Sequence, residues 1–339
     1  MTADRPPRWM RAVAALGALA ALALLVGYTL ASVPASTDPT PKLIDIPAGM
    51  RFQEITQLLE REGLIREARV FALLAFVSGA TTRIQAGRYE LNGTMRPKEI
   101  LRRLLKGEMV EYGITFPEGA TMRQIAAALE ERRIVTAEAF LRKATDQAFL
   151  ASLGIEAASA EGYLFPDTYR FRGAPEPGEI IATMAARLHE VFTPELAERG
   201  EELGLDERAV LTLASIVERE AAVAQERPLI AAVFLNRLRR QMRLQADPTV
   251  LYGTPRPEGP VRKTDLGAST PYNTYQIEGL PPGPIANPGR AAIMAVVHPA
   301  RVNYLYFVSR NDGTHHFSAT LEEHNNAVAR FQRAAPARN

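Results

Sequence analysis

The chain has 339 residues, 47% of them apolar and 23% charged, enough for roughly two domains at about 150 residues each and too apolar for wholesale disorder. Forty lysines and arginines against 38 aspartates and glutamates leave a formal charge of +2, too little over this length for an electrostatic footprint on nucleic acid, so no nucleic-acid partner is expected. The absence of cysteine excludes disulfides, thiol nucleophiles and Cys-ligated metals, which leaves any chemistry to oxygen and imidazole groups.

Residues 12–33, AVAALGALAALALLVGYTLASV, carry no charge, and a helix of that length at about 1.5 Å per residue reaches about 33 Å, enough to cross a hydrocarbon core. A cleaved signal peptide has a shorter apolar region, normally about 7–15 residues, and Pro34 spoils the small-residue stretch at Ala31–Ala35 as a cleavage site. An uncleaved transmembrane helix over 12–33 is therefore expected. Arg5, Arg8 and Arg11 precede it with only Asp4 against them, so residues 1–11 should be cytoplasmic and everything beyond the span outside the cytoplasm. Residues 34–42, PASTDPTPK, have the composition of an extended linker.

Two segments then match each other, IPAGMRFQEITQLLEREGLI at 46–65 and FPEGATMRQIAAALEERRIV at 116–135. Each predicts a strand, a Pro/Gly turn and an amphipathic helix, and GTMRPKEILRRLL at 93–105 repeats the turn and helix. A small α+β module over 43–115 is expected, with Arg88–Leu91 as a strand entering a turn at Asn92–Gly93. It could bind carbohydrate or act as a spacer above a membrane, and its residues do not choose between these.

From Gly119 to about residue 245 the pattern is mostly helical, broken by EGYLFPDTYRF at 161–171. Its aromatics Tyr163, Phe165, Tyr169 and Phe171 fit either a core plug or a binding cleft. A helix expected around 208–224 is apolar nearly all round, the pattern of a buried helix, yet it carries Glu218, Arg219 and Glu220. On such a helix Glu218 neighbours Ala214, Ser215, Ala221 and Ala222, small groups that leave room beside it, whereas Glu220 faces Ile216, Val217, Val223 and Ala224. A carboxyl in an apolar cleft has its pKa raised and can serve as a general acid. The alternative for Glu218 is an internal ion pair with Arg219, Arg227 or Arg237.

A further helix should start near Glu226 or Arg227 and end by about Met242. Gln245, Asp247, Thr249 and Tyr252 follow in a loop, and ten of the 24 prolines fall between 248 and 299, a rigid stretch suited to lining a preformed cleft. Tyr272, Asn273 and Tyr275 in PYNTYQIEG offer aromatic faces and an amide suited to sugar rings. Near the end, 302–309 and 315–318 predict a hairpin, and Thr320 with Glu323 forms a capping-box signature. His298, His315, His316 and His324 lack a recognisable ligand spacing, so no metal is expected.

Taken in order, EGYLFPDTY, LASIVERE, the VFLNRL helix, MRLQADPTVLYG, YNTY, GLPPGPIANPG and HHFSATLEEHN closely resemble the YceG-like family of endolytic murein transglycosylases. The resemblance implies an α+β protein with a single N-terminal transmembrane helix, a LysM-like module at 43–115 and a largely helical catalytic domain at 116–335 that carries a C-terminal β-hairpin. It implies an inner-membrane lyase, with its catalytic domain outside the cytoplasm, that cuts MurNAc–GlcNAc β-1,4 bonds in peptidoglycan strands and leaves 1,6-anhydro-MurNAc ends, with no cofactor. Glycan strands, the bilayer through 12–33 and peptidoglycan synthases are the implied partners. Glu218 matches the catalytic position. Gln245, Asp247, Thr249, Tyr252, Tyr272, Asn273, Tyr275 and Asn287 are the candidate glycan contacts. A non-catalytic glycan-binding scaffold, or a hydrolase pairing Glu218 with Glu161 or Asp167, would be the competing functions.

Overall fold

The computed structural model describes residues 16–17, 32–47, 49–173, 175–254 and 259–333. The expected span at 12–33 lies almost wholly outside these, and among the described residues no helix is long and apolar enough to cross a membrane. Among the described residues the fold is mixed α+β, with many short helices and three two-stranded sheets. The chain divides into two compact units, residues 1–113 with 169–175, and residues 114–168 with 176–339.

In the first unit, β1 (Lys42–Ile46) pairs antiparallel with β2 (Gly87–Leu91), with Ile44 opposite Tyr89. Between and after them come α1 (Phe52–Arg61), α2 (Ala68–Val77) and α3 (Pro97–Lys106). The alternation along β1 turns Ile44 and Ile46 inward, where they meet Ile55 and Leu59 of α1, Phe71 of α2 and Ile100 and Leu104 of α3. Gly107, at φ +64°, ends α3 in the left-handed conformation that costs glycine least. Next, β3 (Glu111–Thr115) pairs with β4 (Thr168–Arg172).

The second unit is helical: α4 (Met122–Glu131), α5 (Ala137–Lys143), α6 (Gln147–Ser152), α7 (Pro177–Val191), α8 (Pro194–Glu202) and α9 (Glu207–Glu220), then α10 (Arg227–Arg239), α11 (Asp247–Tyr252), α12 (Lys263–Leu266) and α13 (Arg290–Val297). It closes with the hairpin β5 (Tyr306–Ser309) and β6 (His315–Ser318), followed by α14 (Leu321–Val328). The expected capping box holds α14, with Thr320 Oγ1 accepting from the Glu323 N–H and Glu323 accepting from the Thr320 N–H. As its composition predicts, α9 is central: every residue from Val210 to Val217 is buried, and it packs against α10, α11 and α13.

The aromatics of 161–171 resolve as core. Tyr163, Phe165, Tyr169 and Phe171 are all buried, and only residues 168–172 form a strand. A difference with larger consequences lies at the end of α9. The expected helix to 224 stops at Glu220, because Ala221 is extended at φ −79° and ψ 106°.

Candidate active site

The two glutamates of VERE have different surroundings. Glu218 turns inward, its side chain only 5% exposed. One oxygen accepts from Arg227 Nη2 at 2.8 Å and the other from the Gly289 N–H at 3.0 Å. Arg227, at the start of α10, also lies 3.7 Å from Glu118. Glu118 is half exposed, with its carboxyl raised by desolvation and by the Glu218 charge, against the pull of Arg227. A Cβ at Gly289 would meet the end of the Glu118 side chain, which would have to swing aside toward solvent. The internal ion pair, one of the two readings left open for Glu218, is thus the one the fold adopts. The expectation of a carboxyl standing in open space among small residues is corrected: both oxygens are engaged.

Glu220, the last residue of α9, lines a cleft of about 310 Å³ with Arg219, Asp247, Leu251, Tyr252 and Ile285. Since the helix ends there, the positions that would have faced it from the next turn do not exist, and its side chain meets the start of α11 instead. The Asp247 backbone N–H donates to it. Burial, reinforced by the Asp247 carboxylate, pushes the Glu220 carboxyl up to about 8, with that N–H and Arg237 opposing. Asp247 is held in turn by the Tyr275 hydroxyl, which donates to Oδ1 at 2.7 Å.

The expected glycan contacts separate into two groups. Asp247 and Tyr252 line the cleft, and Tyr272 stacks obliquely on Tyr252 with ring centres 4.9 Å apart. Tyr275 joins them through Asp247, and Gln245 is exposed, at φ +50°. Thr249, Asn273 and Asn287 are corrected to structural roles, since all three are fully buried. Thr249 Oγ1 donates to the Ala246 carbonyl and bonds Thr274. The Asn273 amide N–H groups serve the carbonyls of Leu266 and Ala268. Asn287 Oδ1 accepts from the Gly162 and Leu164 N–H groups, while its Nδ2 donates to the Ala120 carbonyl and to Glu161.

Glu161 itself is buried at 3% exposure, and desolvation pushes its carboxyl up to about 7. Asp167 is tied to Arg187 at 2.8 Å. Neither stands free as a second catalytic carboxylate. Because the folded Glu161 retains a proton that the unfolded chain has released, its contribution to stability is present below the ordinary glutamate range and is lost as pH rises through about 7. Glu161→Gln, which cannot ionise, should be more stable than the parent at pH 8 by about 3 kcal/mol, with the gain gone at about pH 4. Urea melts at the two pH values check this.

Comparison with known proteins matches the profile of the YceG-like family to residues 44–330. The chain belongs to that family. An endolytic murein transglycosylase of Bacillus subtilis is 33% identical over 324 residues, covering 91% of this chain and 90% of the relative. One from Streptococcus pneumoniae serotype 2 is 32% identical over 323 residues, covering 84% of this chain but 57% of the longer relative. The crystal structure of a YceG-like protein from Listeria monocytogenes superposes with a TM-score of 0.59 at 33% identity, covering 85% of this chain and 99% of that one.

Among the described residues of this YceG-like chain, no group of three or more His, Asp or Glu side chains could hold a metal ion. His315 Nδ1 lies 2.7 Å from Glu226, and His324 stacks on Tyr306. Sequence reasoning passed over Glu220 and Glu118. No local signal marked the helix end, because Ala221, Ala222 and Ala224 favour a continuing helix and Pro228 constrains only Arg227.

Proposed function

We propose that this chain is a peptidoglycan lytic transglycosylase of the endolytic murein type, acting through Glu220. The observation that carries the reading is a glutamate at the end of α9 that lines a cleft beside Asp247, where burial raises its carboxyl to about 8, in a chain whose curated relatives are named endolytic murein transglycosylases. A carboxyl raised that far holds a proton at neutral pH, as a general acid requires. It donates this proton to the bridging oxygen as the MurNAc–GlcNAc bond breaks. The resulting carboxylate then takes the proton of the MurNAc C6 hydroxyl as that oxygen closes on C1, giving the 1,6-anhydro end and restoring the acid. Because the nucleophile belongs to the sugar, no second carboxylate is required. This moves the acid two residues on from Glu218, whose oxygens serve Arg227 and Gly289.

The remaining proposals follow the sequence. Residues 12–33 anchor the chain in the inner membrane, 43–115 form a LysM-like module in contact with glycan, 116–335 form the catalytic domain outside the cytoplasm, and peptidoglycan synthases are partners. Incubating the full-length chain in detergent with purified sacculi tests the activity: soluble glycan fragments should appear, and intact sacculi after prolonged digestion would reject it. With Glu220 as the proton donor, kcat/KM should fall as pH rises through about 8. A pH–rate profile on solubilised strands checks that limb.

A further inference from the structure

Glu161 is a buried titratable group that the reaction above does not use, and its bonds have an asymmetry. Oε1 accepts from the Met122 N–H at 2.8 Å and from Asn287 Nδ2 at 3.1 Å. Oε2 accepts from the Tyr252 hydroxyl at 3.2 Å. The Asn287 amide cannot turn round, because its Oδ1 is fixed by two backbone N–H donors. The partners of Oε1 are therefore obligate donors, and the Tyr252 hydroxyl is the one partner that can rotate. Tyr252 lines the cleft that holds Glu220 and Asp247.

We propose that Glu161 is a positioning residue whose protonation state sets the direction of the Tyr252 hydroxyl hydrogen, so that the cleft offers bound glycan an acceptor in one state and a donor in the other. The proposal rests on the reading that glycan occupies this cleft. With Glu161 ionised, the Tyr252 O–H is directed at Oε2 and the phenol oxygen presents only lone pairs to the cleft. A proton arriving at Glu161 must sit on Oε2, since Oε1 already receives two N–H groups. Oε2 then donates to the phenol oxygen, and the Tyr252 hydrogen swings toward the cleft. The groups facing Glu161 are Arg123 from α4, Tyr252 from α11, Tyr272 from the loop after α12, and the neutral Asn287 amide and Met122 N–H. With burial raising the carboxyl to about 7 against the pull of Met122, Tyr252 and Arg123, both states are populated near neutral pH.

Glu161→Gln imitates the protonated state permanently. Its amide oxygen must face the Met122 and Asn287 donors, which leaves the NH2 group directed at Tyr252. In the full-length chain, KM for solubilised glycan strands should change about fivefold between pH 5.5 and 8.5, the worth of one neutral hydrogen bond, while kcat follows the Glu220 limb alone. Glu161→Gln should hold the low-pH KM throughout. Tyr252→Phe should be flat, and adding Glu161→Gln to it should change nothing further. A KM that titrates in Glu161→Gln as in the parent, or a Glu161→Gln effect that persists undiminished on Tyr252→Phe, overturns the proposal. Infrared difference spectra without substrate separate this from the fate of the proposed function. The tyrosine C–O band should titrate near pH 7 in the parent and stay still in Glu161→Gln, even if Glu220→Gln proved fully active. A band independent of pH in the parent would overturn the coupling.

Discussion

Glu220→Gln is expected to lower release of glycan fragments by about three orders of magnitude, the worth of a general acid placed at a leaving oxygen. The amide keeps the size of the side chain and can still accept the Asp247 N–H, so the cleft should stay folded and glycan binding should survive. Two features of the site make the effect large. The cleft places Glu220 at its wall, and the Asp247 carboxylate beside it favours the protonated form that donates. Residual activity should lose the basic limb near pH 8, since the ionising group is gone. Fragment release from sacculi, followed over a pH series, measures both the loss and the flattened profile.

Arg227→Ala should destabilise the second unit by about 3–5 kcal/mol, because it leaves the buried Glu218 carboxylate without its countercharge. Among the described residues Glu218 is then left with the Gly289 N–H, and the like charges of Glu118 and Glu218 lose the guanidinium that offsets both. Glu218→Gln is gentler: the amide oxygen still accepts from one of the two donors, so a loss of about 1–2 kcal/mol is expected. The pair joins the last turn of α9, the start of α10 and the Pro-rich loop at Gly289, so its loss loosens the backbone beside Glu220. Urea melts rank the three chains, and activity below the melting range should remain within a few-fold of the parent in Glu218→Gln.

Most of the architecture was legible in residue patterns. The glycine turn and helix within 46–65 and 116–135 follow from Gly49 and Gly119, both at positive φ, and from apolar spacing along α1 and α4, while the strands lie just ahead, at 42–46 and 111–115. The burial of α9 follows from its all-round apolarity. The site was harder to see, and the reasons are local. Helical periodicity alone runs four residues past Glu220, setting Glu220 against Val223 and Ala224 and leaving Glu218 the open side. The extended Ala221 reverses that assignment. Asn287, Thr249 and Asn273 have the residue types of sugar contacts, yet a loop with this much irregular backbone needs side-chain amides and hydroxyls to satisfy its own N–H and C=O groups. Residue type alone does not separate those two uses. The Glu218–Arg227 pair spans nine residues and a helix break, so it was visible only as one of several possible ion pairs.

The most direct test of the account is to digest purified sacculi with the parent chain, Glu218→Gln and Glu220→Gln side by side and weigh the products. The account predicts 1,6-anhydro ends from the parent and from Glu218→Gln, and almost nothing from Glu220→Gln. Ends one water heavier, or an active Glu220→Gln beside a silent Glu218→Gln, would contradict it.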